Sequence, residues 1–145
     1  MESHIHLTEF YLANSIIESA GKGVFTKYNL PADIIIGKYE GRVFPSRTKL
    51  LPGEIDYAYD LDEGSRLVPH KSCIFRYMND IVDLPESLRM RKRVDRNLLH
   101  NVRFVEEKEE VYIQTTIPIL SGQELFINYS DGYWDFRIWK ALQNN

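Results

Sequence analysis

The most constraining stretch of this chain is residues 122–134, GQELFINYSDGYW. Ser121-Gly122-Gln123 reads as a turn, and Glu124-Leu125-Phe126-Ile127 comes close enough to alternation to read as a short buried strand. Asn128-Tyr129-Ser130-Asp131-Gly132 then breaks the pattern and places Tyr129 at the strand's exit. Ser130 or Asp131 is placed to cap a helix opening at Tyr133-Trp134. A phenol held at the end of a core strand has little rotational freedom, so its hydroxyl is aimed. Taken alone, the segment reads more readily as a core tyrosine whose hydroxyl meets a carbonyl.

Other segments occur with it in one particular order. Gly21-Lys22-Gly23-Val24-Phe25 comes first, then Tyr39-Glu40-Gly41, then Tyr57-Ala58-Tyr59-Asp60-Leu61-Asp62. Arg76-Tyr77-Met78-Asn79 and Asn101 follow, and the series closes with Glu124-Leu125 through Tyr129. The series resembles the SET domain of protein lysine methyltransferases, whose GxG, YxG, YxFDLD, RFxNHS…PN and GEELxxxY motifs fall on those positions. The resemblance spans about residues 12–134. The aromatics after Tyr129 look most like the small stand-alone viral SET proteins, and the run from Asn101 to Tyr129 also looks like the related PR domains. The fold expected is therefore mainly β: several small sheets, few short helices and a C-terminal pseudoknot, in which the closing segment threads under an earlier loop against the usual unthreaded rule.

Bulk properties agree with one domain over residues 1–145, with its core at about 12–134, a basic insertion at 81–96 and a helical segment at 131–142. The chain has 145 residues, 43% of them apolar, enough to bury a core. A formal net charge of −3 supplies no global basic field of the kind that marks nucleic-acid binders. Cys73 is the only cysteine, which excludes an internal disulfide framework and a cysteine-based zinc cluster and fits a reducing compartment. No apolar run reaches membrane-spanning length and the N-terminus lacks a signal pattern, so a soluble, intracellular protein is expected, with no membrane contact. His4 and His6 would share a face on a strand and hold a metal there, but a solvated terminus is the simpler reading, and no metal is expected.

Along the chain, residues 12–18 read as a strand, followed by a glycine turn and a second strand opening at Val24-Phe25. The turn lacks the further glycine, the Lys-Ser/Thr pair and the helix of a phosphate loop. Ile34-Ile35-Ile36 is a β-prone run leading to Tyr39. Residues 45–54 read as a loop or short helix. Residues 54–62 alternate, putting Ile55, Tyr57, Tyr59 and Leu61 on one face. Arg66-Leu67-Val68 reads as a short strand, and residues 71–78 as a helical turn ending at Asn79. Residues 101–105 and 111–118 pair as an antiparallel hairpin around the solvated acidic tip Glu106-Glu107-Lys108-Glu109-Glu110. The sequence departs from the family pattern after Asn79, where Asp80 stands in place of a histidine and no Ser-Cys follows. PR domains also lose that histidine. The insertion before Asn101 carries Arg89, Arg91, Lys92, Arg93 and Arg96, a solvated turn or a contact for phosphates such as nucleosomal DNA through residues 89–96.

The resemblance implies S-adenosylmethionine as cofactor and a histone or other lysine-containing protein as substrate, with a nuclear or chromatin setting. It makes Tyr129 the catalytic phenol, and Tyr57, with Tyr59, the lining of a lysine channel. Aromatic walls suit an alkyl ammonium, held by its stem and by cation–π attraction. Gly21, Lys22, Gly23, Tyr39, Arg76, Asn79 and Asn101 would surround the cofactor, and Trp134 would stack on its adenine. The family's cysteine-rich closing segment is absent, so Tyr133, Trp134 and Trp139 are left to complete the pocket. The viral analogy adds a homodimer. The competing expectation, favoured by Asp80, the insertion and the missing cysteines, is a SET- or PR-like interaction module without transfer activity.

Overall fold

The computed structural model describes residues 9–17, 20–81 and 99–128. These build three small antiparallel sheets. The first pairs β1 (Phe10–Asn14) with β2 (Lys22–Thr26). The second places β8 (Glu110–Thr115) between β3 (Ile35–Lys38) and β7 (Val102–Glu107). The third places β6 (Arg66–Pro69) between β4 (Gly41–Phe44) and β5 (Tyr59–Asp60). The mainly β, several-sheet architecture expected from the sequence is the one observed.

One apolar cluster joins the sheets, with Val24, Ile36, Phe75, Ile113, Leu125 and Ile127 fully buried in it. Phe75 comes from a 3-10 turn, Ile74–Tyr77, that packs against β1 and β2, with its ring edge-on to Phe10. That turn lies inside the helical turn expected over residues 71–78.

Three local expectations need adjustment. The alternation over residues 54–62 holds as strand only at Tyr59–Asp60, because Pro52–Ile55 winds into one helical turn, α1. Pro52 suits the first helical position, and the Glu54 carboxylate reaches back to the Leu51 N–H at 2.8 Å. The strand expected over 12–18 starts and stops earlier, as β1. The hairpin strands run further toward their tip than expected, leaving a two-residue turn in which Lys108 (φ 51°) and Glu109 (φ 66°) are both left-handed. That is the turn whose twist matches a two-residue hairpin, and it is usually written Asn-Gly or Asp-Gly. The acidic tip is also less idle than a solvated turn: Glu106 accepts from the Asp62 N–H at 3.0 Å, and Glu110 accepts from Lys38 and Tyr112.

Residues 124–127 are buried throughout instead of alternating. Both edges of the segment are hydrogen-bonded: the Leu125 N–H donates to the Val24 carbonyl, the Ile127 N–H to the Asn79 carbonyl, and Phe126 O accepts from the Asn101 and Val102 N–H groups. A segment paired on both sides and covered on both faces has no solvent face to mark with polar residues. It is thereby fastened to Asn79 and Asn101, the two arms of the loop under which threading is expected; the middle of that loop, residues 82–98, lies outside the described residues. No helix among the described residues is long and apolar enough to cross a membrane.

Candidate functional site

Where β1 leaves the sheet, the Ser15 hydroxyl and the Ile16 backbone N–H point at Glu124, while the Ile16 side chain stays exposed. The Glu124 side chain is 3% exposed and sits in an otherwise apolar stretch. Its carboxyl accepts from the Ser15 hydroxyl at 2.8 and 3.0 Å, from the Ile16 N–H at 2.9 Å and from the Asn79 amide at 3.1 Å. A buried carboxyl is tolerable only when donors replace its lost water, and here three donor groups do so.

The glycine turn closes over this group. Gly21 takes φ 72°, a left-handed conformation that a side chain would disfavour, and its carbonyl accepts from the Ser15 N–H at 2.8 Å. A Cβ on Gly23 would lie 2.2 Å from Glu124 Oε2 and 3.2 Å from Asn79 Nδ2, so the strand approaches the carboxyl only because position 23 has no side chain. Asn79 also donates to the Lys22 carbonyl at 3.0 Å. Asn101, 8% exposed, clips the same segment from its other side: its amide donates to the Glu124 carbonyl at 2.9 Å and its Oδ1 accepts from the Phe126 N–H at 2.7 Å.

Gly21, Lys22, Gly23, Asn79 and Asn101, nominated from the sequence, lie together around Glu124, a residue whose part in the site the sequence reading did not assign. The signal for Glu124 was present: an acidic residue opening a buried apolar run must find donors. Both asparagine side chains bond to the protein itself, so their observed work is to hold backbone in place rather than to face outward as free amides.

A second group is aromatic. Tyr39, 4% exposed, donates its hydroxyl to the Tyr57 carbonyl at 2.8 Å and packs edge-on against Phe104, which also meets Tyr59 edge-on at 5.2 Å. The Arg76 guanidinium lies 4.4 Å over the Tyr57 ring and 5.7 Å from that of Tyr77. Its Nε is buried with no hydrogen-bond partner among the described residues. Burial first, then the charges of Glu106, Asp62 and Asp60, raises the Tyr59 phenol above its ordinary pKa, so the ring stays neutral at physiological pH. The 3-10 turn links the two groups, since Arg76 lies in it and Asn79 follows closely. Tyr129 and Trp134 lie outside the described residues.

An open cleft of about 360 Å³ lies elsewhere, with Lys38, Tyr39, Glu40, His70, Glu109 and Glu110 along its walls. Of the residues nominated from the sequence, Tyr39 alone lines it among the described residues. Nearby Cys73 is buried, with its thiol pushed above the ordinary range by that burial, which argues against nucleophilic use.

Comparison with known proteins follows the same lines. No curated protein sequence matches the chain. Among solved structures, it is similar to a Plasmodium falciparum protein described as a candidate histone methyltransferase, with a TM-score of 0.57 and 18% identity over 87% of this chain and 96% of that one. It is similar also to the methyltransferase domain of human PR domain-containing protein 2, with a TM-score of 0.56 and 17% identity over 90% of this chain and 92% of that one. At such identities the likeness is one of fold. The SET-domain family model matches residues 21–130, from the glycine turn through Tyr129, and on that match this chain belongs to the SET-domain family.

Proposed function

We propose that this chain is an S-adenosylmethionine-dependent protein lysine methyltransferase whose substrate is a histone tail. The observation that carries the reading is the convergence of Gly23, Asn79 and Asn101 on Glu124, which holds the segment leading into Tyr129. A merely β scaffold has no need to gather those motif positions at one buried carboxyl. The Plasmodium falciparum neighbour, described as a candidate histone methyltransferase, favours the substrate class, and the human neighbour, a methyltransferase domain, favours the reaction.

The residues present suit the cofactor. Arg76 offers a buried Nε–H lacking an acceptor among the described residues, which a cofactor carboxylate would satisfy. Gly21 and Lys22 are exposed, and a Cβ on Gly21 would meet nothing within 4 Å, so the turn leaves room for a ligand against its backbone. The cofactor supplies an electrophilic methyl on a sulfonium. Transfer needs a neutral amine, and free lysine titrates near ~10.4, so the site must favour deprotonation by desolvating the ammonium. Tyr57 and Tyr59 would wall the side chain's stem, and the Tyr129 phenol would orient the amine toward the methyl.

The second reading is an interaction module without transfer activity, and Asp80 in place of the family's histidine favours it. Transfer of labelled methyl from S-adenosylmethionine to a core-histone mixture, with Tyr129→Phe alongside, decides between them. Label in a histone band that disappears in the mutant is the expected result. Equal labelling by both proteins would remove Tyr129 from the chemistry. No labelling, with no calorimetric binding of cofactor, would leave the module.

A further inference from the structure

The residue that departs from the family pattern is not idle. Asp80 is buried, its side chain 2% exposed, and Oδ1 accepts from the Ile81 N–H at 2.7 Å. The same oxygen lies 2.6 Å from Nε2 of His100, a residue twenty positions further along the chain. His100 is 35% exposed, and its carbonyl accepts from the Thr116 hydroxyl at 3.4 Å. A histidine thus meets Asp80 from the other side of the insertion.

The location gives the pair its consequence. Asp80 directly follows Asn79 and His100 directly precedes Asn101. Those two asparagines grip residues 124–127 from opposite edges: Asn79 O accepts from the Ile127 N–H, and the Asn101 N–H donates to Phe126 O. The Asp80–His100 contact joins the two stems directly, besides the bonds that each makes to the segment they hold. It is a short bond to a buried acceptor, and it limits how far Asn79 and Asn101 can separate.

We propose that Asp80 and His100 form a positioning pair that clamps the two stems and so sets the shape of the cofactor site, acting through Asn79 and Asn101. The inference rests on the cofactor reading above. Two amide variants test it, because they differ in reach. Gln at 100 can bring a donor to the place of Nε2, whereas Asn stops near the place of Nδ1.

Calorimetric titration of S-adenosylmethionine into the full chain should show His100→Gln within about three-fold of the wild-type Kd, and His100→Asn weaker by about ten-fold, the scale of one lost charge-assisted bond. Amide hydrogen exchange without cofactor gives a second readout. Asn101 and Ile127 should lose protection in the Asn variant and keep it in the Gln variant. If both variants bind and exchange like wild type, the clamp is wrong while the cofactor reading stands. If both are equally impaired, the histidine has some other job and the pair is not the positioning device. If the wild type binds no cofactor, the reading of the site falls and the clamp's purpose falls with it.

Discussion

Glu124 and Glu110 are the same residue with similar hydrogen bonds and opposite surroundings. Glu124 accepts at 2.8–3.1 Å from Ser15, Ile16 and Asn79 at 3% exposure. Glu110 accepts at 2.9 Å from Lys38 and at 2.6 Å from Tyr112, with its side chain 50% exposed. Bond lengths alone would rank Glu110 higher. Burial reverses the ranking: delete Glu110 and water reaches Lys38, but delete Glu124 and the Ser15, Ile16 and Asn79 donors lose the buried acceptor they share. An unsatisfied buried donor costs about 1–3 kcal/mol, while an exposed ion pair is commonly near zero. The geometry of a contact describes it; what replaces the contact decides its energy.

The sharpest break of that comparison is Glu124→Ala. It should cost about 3 kcal/mol or more in urea unfolding, combining unpaired donors with a cavity, and it should abolish cofactor binding. Glu124→Gln keeps the shape but turns an amino group toward existing donors, so an intermediate loss of about 1–3 kcal/mol is expected. Glu110→Ala measured alongside should barely move the midpoint. Equal losses at the two positions would end the argument from burial.

Gly23→Ala comes next. The added Cβ would lie 2.2 Å from Glu124 Oε2 and 2.7 Å from its Cδ. Forcing it in should cost about 1–3 kcal/mol. Because the clash is with Glu124 itself, the cost should shrink in a Glu124→Ala background. A double-mutant cycle measures that coupling, and additive effects would place the strain somewhere other than the carboxyl.

Much of this was legible in the sequence, and the rest was hidden for identifiable reasons. Gly21, Gly23, Asn79 and Asn101 could be nominated because a motif in fixed order survives without knowledge of contacts. The hairpin was legible from two β-prone runs around a charged tip. Its true turn was not, because Lys108-Glu109 carries none of the residues that normally announce two left-handed positions. The helical turn Pro52–Ile55 fell within the loop or short helix expected over residues 45–54, but its last residues overlapped an alternating pattern, where a proline start and the Glu54 cap outweighed periodicity. Ser15 and His100 could not be found at all. Their partners lie 109 and 20 positions away, and no local rule reaches across that separation.

Between the two extremes stands Tyr39. Its ring belongs to the core while its hydroxyl donates to the Tyr57 carbonyl. Tyr39→Phe keeps the ring against Phe104 and deletes the donor, so about 1 kcal/mol is expected from thermal or urea unfolding. A loss as large as that of Glu124→Ala would mean the aromatic group is as tightly specified as the carboxyl site.

The smallest effect sharpens the exposed side of the comparison through pH. The hydrogen bond to Glu110, burial and the nearby carboxylates push the Tyr112 phenol up to about 12. The same bond, with Lys38, holds the Glu110 carboxyl below its ordinary value. A phenol raised in the folded state contributes stability that is complete below its unfolded pKa, near ~10, and is lost as pH climbs toward about 12. A carboxyl lowered in the folded state contributes above its unfolded value and loses that contribution as pH falls through the folded one. The stability gap between wild type and Tyr112→Phe should therefore be flat through neutral pH, narrow in acid and close again in alkali. Melting temperatures across that range read it directly. A gap that persisted unchanged above the phenol's folded pKa would show that the tyrosine ring, not its bond to Glu110, stabilises the hairpin, and the exposed carboxylate would then matter even less than the comparison with Glu124 requires.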